Sequence, residues 1–124
     1  LPSDAEWSSL TNYLINNGYG YEGSGNDIAK SMAVTTNWNS YSTPGIPGYD
    51  PASNNSSGFS ALPGGFRGSS GNFGHIGYLG FWWSSMENST GSAFYRYMNF
   101  GSTYVYGYDH GKDYGFSVCC VRDF

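Results

Sequence analysis

Few residues in this chain could do chemistry. His75, in Gly74-His75-Ile76-Gly77, and His110 are the only histidines, and no Ser or Cys stands near either in sequence to make a nucleophile–base pair. Asp109-His110-Gly111-Lys112-Asp113 sets two carboxylates around a glycine, as a cation-binding loop can. The stretch lacks the alternating ligands of an EF-hand and reads better as a solvated loop. Cys119 and Cys120 are adjacent, and on a strand their side chains point to opposite faces. A mutual disulfide would need a distorted backbone, so they read as two free thiols, or as one buried and one exposed. The richer signal is aromatic. Six of the twelve tyrosines (Tyr95, Tyr97, Tyr104, Tyr106, Tyr108 and Tyr114) fall within one short stretch. Tyrosine gives large amphipathic contact at low entropic cost, and Ser, Gly and Asn beside it give adaptable hydrogen bonds, as in antibody loops. The chemistry expected is recognition, with no catalytic residue, metal or cofactor.

The elements that must position these tyrosines form a hairpin over 93–100 and 103–108. At strand period, Tyr95, Tyr97 and Asn99 share one face with Tyr104, Tyr106 and Tyr108, while Met98, Phe100 and Val105 turn inward. The expected ligand-binding surface is that outward face with the turn and the following loop: Tyr95, Tyr97, Asn99, Gly101, Tyr104, Tyr106, Tyr108, Asp109, His110, Gly111, Asp113 and Tyr114. The competing reading is that cross-strand tyrosines only stabilise the pair, by about 0.2–1 kcal/mol each.

The rest of the chain reads as the frame. Ser3-Asp4-Ala5-Glu6 is a capping box, and Trp7, Leu10, Leu14 and Ile15 recur at helical spacing until Asn16-Asn17-Gly18, which predicts a helix over 4–16. A short second helix is expected over 27–32, capped by Asn26 or Asp27. Residues 34–57 make a long Thr/Asn/Ser/Gly/Pro-rich loop, expected to be pinned by Trp38, Tyr41, Ile46 and Tyr49. Asn54, Asn55 and Asn88 stand in Asn-x-Ser/Thr triplets. Strands follow: 59–62 and 66–67 flank the turn Pro63-Gly64-Gly65, a central strand spans 80–85, and a buried final strand spans 115–121 with Phe116, Val118 and Cys120 on one side. Helices first and short antiparallel strands after make an α+β plan in one domain, 1–124.

Composition narrows the function classes. With 19% aromatic and only 11% charged residues, the chain is not of disordered type. A formal charge of −4 with five basic residues argues against nucleic acid as partner. No apolar run approaches the length of a membrane span.

Four separated motifs then carry a family resemblance: Leu1-Pro2-Ser3-Asp4-Ala5-Glu6-Trp7; Phe59-Ser60-Ala61-Leu62-Pro63-Gly64-Gly65-Phe66-Arg67; Trp82-Trp83-Ser84-Ser85; and Gly115-Phe116-Ser117-Val118-Cys119-Cys120-Val121-Arg122-Asp123. In this order they resemble the Fibrobacter succinogenes major paralogous domain, found in surface proteins of Bacteroidetes-type bacteria. The resemblance implies a C-type-lectin-like fold, related to formylglycine-generating, sulfatase-modifying enzymes. It also implies kinship with the variable proteins of diversity-generating retroelements, whose stretch before the final strand is rewritten by adenine-directed mutagenesis and displays a ligand-binding surface. Mutagenised Asn codons can give Tyr, Asp, His, Gly, Ser or Phe, but not Lys, Met, Glu or Trp. The outward and loop positions here fit that set, whereas Met98 and Lys112 do not.

The resemblance thus implies an extracellular, cell-surface or phage-displayed module with a protein or glycan ligand. The alternatives are a carbohydrate-binding module that stacks sugars on the tyrosines, and a degenerate relative of the sulfatase-modifying enzymes. Two departures stand out. The family's upstream segment, with a strand and a Cys-Pro-x-Gly-Trp element, does not precede Leu1, so the sequence reads as a trimmed domain in which Cys120 lacks a disulfide partner. Cys119 stands where the family usually has Arg. The lectin triplets Glu-Pro-Asn and Trp-Asn-Asp are missing, and adjacent cysteines differ from the separated pair of the formylglycine-generating enzymes.

Overall fold

A computed structural model of the protein describes residues 1–123. In chain order the elements are α1 (Asp4–Asn16), α2 (Ala29–Met32), β1 (Phe66–Arg67), β2 (Phe73–Gly74), β3 (Leu79–Ser89), β4 (Ser92–Asn99) and β5 (Tyr106–Gly111), with 3-10 turns at Tyr21–Gly23 and Pro51–Ser53. The architecture is α+β. One main helix accompanies a two-stranded antiparallel ribbon, β1-β2, and a three-stranded antiparallel sheet in the order β3-β4-β5. No helix among the described residues is long and apolar enough to cross a membrane.

Helix α1 begins and ends where its sequence signals stand. The Ser3 hydroxyl accepts from the Glu6 amide at 3.1 Å, and the Glu6 carboxylate accepts from the Ser3 amide at 2.7 Å, which satisfies two of the free donors of the first turn. At the other end Gly18 takes φ +80°, the left-handed conformation that lets the chain reverse. Trp7 and Leu14 are buried, with Leu10 and Ile15 packed beside them. They join Ile28, Met32 and Trp38 from the middle of the chain and Trp82 and Met98 from the inner face of the sheet in one core.

Helix α2 is shorter than its pattern predicts and has no side-chain cap. Asp27 instead accepts the Tyr21 amide at 3.0 Å, and after Met32 the backbone turns extended to pair Ala33 with Ala61. Trp38 and Ile46 pin the long loop as expected, and Tyr41, though exposed, meets Phe100 edge-on at 5.3 Å; Tyr49 is exposed. Polar groups add further anchors. The Lys30 ammonium donates to the carbonyls of Tyr49 and Asp50 and to Asn54 Oδ1, and the buried Asn54 amide donates to Val34 and Pro47 at 3.1 and 3.0 Å. Desolvation lowers the pKa of Lys30, and the nearby Asp50 charge pulls it back up.

Four strand expectations are corrected. Residues 59–62 form no strand with Phe66–Arg67; the partner of β1 is β2. β3 runs on to Ser89 and is not central, since β4 lies between β3 and β5. The second hairpin strand starts at Tyr106 and not at 103. Ala29 N–H donates to the Thr103 carbonyl at 3.1 Å, which draws 103–105 towards α2, and the strand then runs through Asp109 and His110, residues read as loop. The last segment is also not a strand. Gly115 bridges Arg67 and Ser117 bridges Trp82, after which the chain leaves the sheet. Phe116 packs inward as expected, but beyond it the phase is inverted: Val118 and Cys120 are exposed, and Cys119 packs against the core. Both thiols are free, and burial, then the neighbouring Cys120, pushes the Cys119 thiol up.

Candidate functional site

The outer face of the three-stranded sheet is aromatic on every strand. Register sets Phe81 opposite Tyr97 and Trp83 opposite Tyr95 between β3 and β4; it sets Tyr95 opposite Tyr108 and Tyr97 opposite Tyr106 between β4 and β5. Strand alternation then puts all six rings on one side, while Trp82, Arg96 and Met98 point to the other. The face divides in two. Towards β3, the C-terminal segment lays a roof: Phe116 stacks on Phe81 at 4.8 Å and 13°, and lies 4.4 Å from Trp83 and 5.0 Å from Tyr95 between ring centroids. Towards β5, no described segment covers the tyrosines.

The roof corrects one expected site residue. Tyr95 is only 7% exposed, and it belongs to the packing beneath Phe116. The open half carries Tyr97 and Tyr106, both half-buried, with Tyr104 at 43% and Tyr108 at 55% exposure. Here the rings form a ladder. Tyr97 and Tyr106 lie 4.9 Å apart at 20°, Tyr106 and Tyr108 6.3 Å apart at 10°. The near-parallel planes make these offset stacks, closest between Tyr97 and Tyr106. Tyr104 meets Tyr106 edge-on, and the Tyr106 hydroxyl shares a hydrogen bond of 2.9 Å with Ser102. Burial, and after it the neighbouring phenols, raises the pKa of Tyr95 and Tyr97.

The remaining expected residues separate. His110 and Tyr114 sit at the margin of the roof, their rings 4.1 Å apart, and His110 Nδ1 is buried with no hydrogen-bond partner. Asn99 and Gly101 shape the turn, Asn99 Oδ1 accepting the Gly101 amide at 2.9 Å. Asp109 and Gly111 alternate onto the opposite face, where the Asn88 amide donates to Asp109 at 3.2 Å. Asp113 is exposed in the turn after β5. Among the described residues no group of three or more His, Cys, Asp or Glu side chains could hold a metal ion.

Beneath the open half, Arg96 locks the hairpin to α1. Its guanidinium, 8% exposed as a residue, pairs with Asp4 at 2.6 Å and donates to Ser8 Oγ at 3.1 Å. It also lies flat over Gly107, where a Cβ would stand 2.9 Å from the guanidinium.

The model of the Fibrobacter succinogenes major domain matches residues 1–122. The chain belongs to this family. No curated protein and no solved structure matches it. In this Fibrobacter succinogenes major domain, three of the quoted motifs supply parts of the face that were not named as site residues. Phe66 comes from the second motif, lying 5.8 Å from Phe81; Trp83 comes from the third and Phe116 from the last. The signal for Phe81 and Trp83 was present in their two-residue spacing, which matches that of Tyr95 and Tyr97. Phe116 and Arg96 had no such signal.

Proposed function

We propose that this domain is a non-enzymatic ligand-binding module on a C-type-lectin-like frame. The open tyrosine face is its replaceable recognition surface, as in the variable protein of a diversity-generating retroelement displayed on a cell or phage. The observation that carries the reading is the division of the outer face. Tyr95 is held by Phe116, and Tyr97 bridges the two halves, 5.7 Å from Phe81 and 4.9 Å from Tyr106, whereas Tyr104, Tyr106 and Tyr108 touch mainly tyrosines and solvent. Side chains that support each other and nothing beneath can change without loss of the frame. Between a protein and a glycan as ligand, the ladder geometry favours protein. Sugar stacking needs a ring face turned to solvent, and the Tyr97 and Tyr106 faces are turned to each other by their 4.9 Å stack.

The test is a yeast-displayed library randomised at Tyr97, Tyr104, Tyr106 and Tyr108. Most members should remain folded by protease resistance, and sorting against a purified protein such as lysozyme should yield binders. A library that is mostly unfolded would sink the reading. The retroelement part is tested in neighbouring DNA, where a reverse transcriptase gene and a near-copy of this segment differing at template adenines are expected.

A further inference from the structure

The two outer edges of the three-stranded sheet are treated differently. The edge of β3 is sealed from Leu79 to Ser85. Leu79 O accepts from Gly65 at 2.7 Å, Phe81 O accepts from Ser117 at 2.9 Å, Trp83 N–H donates to Ser117 at 3.2 Å, and Ser85 N–H donates to Pro2 at 2.9 Å. On β5 the direction of each backbone group follows from the register. Lys112 N–H donates to Gly91 O, so the pairs Gly91–Lys112, Ala93–His110, Tyr95–Tyr108 and Tyr97–Tyr106 are the hydrogen-bonded ones. Gly107 and Asp109 therefore direct N–H and C=O away from β4. No described group meets them, and both residues are exposed. Of the usual defences of an edge strand, Tyr106–Gly111 carries only the charge of Asp109: it contains no Pro and no Lys, and its register with β4 has no bulge.

We infer that the β5 edge receives an extended peptide as a fourth strand, and that the peptide alternates apolar with basic side chains. The inference rests on the reading of the tyrosine face as a binding surface and names its ligand. A strand laid on β5 puts every second side chain beside Tyr106 and Tyr108. The intervening ones fall on the opposite face, next to the exposed Asp109 carboxylate. The other carboxylate on that side, Asp4, is already paired with Arg96, so Asp109 is the one that selects a cationic residue. The same charge works against a second copy, since two β5 edges would bring together two Asp109 side chains on chains of formal charge −4.

The experiment titrates the protein with an octapeptide alternating Lys and Val, its form N-methylated at alternate residues, and a Glu–Val counterpart, following amide exchange and tyrosine ring signals by NMR. The Lys–Val peptide should slow exchange at Gly107 and Asp109 by about tenfold or more, and N-methylation should abolish this. D109P removes an outward N–H without touching the β4 pairing and should weaken binding about tenfold, with D109N weakening it about threefold. Unchanged exchange at the two amides, equal binding of the Glu–Val peptide, or protection that grows with protein concentration alone would each overturn the inference. If the amides stay unprotected while the Tyr97 and Tyr106 rings respond, the face binds and the edge does not. Protected amides with silent rings uphold the edge and discard the face.

Discussion

On the inner face of the three-stranded sheet, Trp82 and Met98 are sealed in one core with Trp7 and Leu14 of α1; on the outer face, Tyr97, Tyr106 and Tyr108 lean on one another. Both faces are rich in large side chains, but the source of order differs. Inner residues are fixed by the volume left between sheet and helix, as where the Trp82 ring lies so close to Gly80 that a Cβ there would stand 2.4 Å from it. Outer residues are fixed by their neighbours in the same layer. The first arrangement specifies residue identity at each position, and the second specifies only that something flat and compatible stand beside the next ring.

Substitutions should separate the two faces by their effect on stability. Trp82→Ala is expected to cost about 3–5 kcal/mol in denaturant unfolding, because a buried ring is removed from a core that can collapse only partly. Asp4→Ala should cost about 1–3 kcal/mol, less than the 3–5 typical of a fully buried pair because Asp4 is partly exposed while Arg96 is left without its carboxylate. Alkaline pH probes the junction of the roofed and open halves of the outer face. Tyr95 and Tyr97 have folded pKa values above that of a free tyrosine, so their contribution is complete below pH ~10 and is lost as pH rises from there through the folded values. Melting temperature should fall across that window, and Tyr95→Phe should blunt the fall. The smallest effect is expected for Tyr108→Ser, within about 0.5 kcal/mol of wild type. A loss of several kcal/mol there would erase the distinction between the faces.

Much of the frame was legible because its signals are local. The Ser3–Glu6 box and Gly18 bound α1 within the residues they occupy, and Met98 turns inward as alternation requires, with Phe100 and Val105, just outside the strands, also packed on the core. What was not legible depends on contacts distant in sequence. The start of β5 is set by the bond from Ala29 to Thr103, and nothing near Thr103 announces it. By sequence Tyr95 belongs with the ligand surface, because its two-residue spacing from Tyr97 is identical to that of an open position. It is buried because Phe116 comes down on it from the end of the chain. Nothing beside Lys30 in sequence announces that its ammonium gathers carbonyls of the long loop.

The seat of α1 has a consequence for how the protein is made. Asp4 finds Arg96 ninety-two residues later, and Pro2 finds Ser85. A thirteen-residue helix is marginal in water by itself. At ribosomal speeds of about 5–20 residues per second, α1 therefore waits roughly 5–20 s after emerging before its partner strand exists. Through that interval Trp7 and Leu14 have no sheet to cover them. Chaperone demand on this domain should accordingly fall on its first residues, and it should end only when β4 has cleared the exit tunnel.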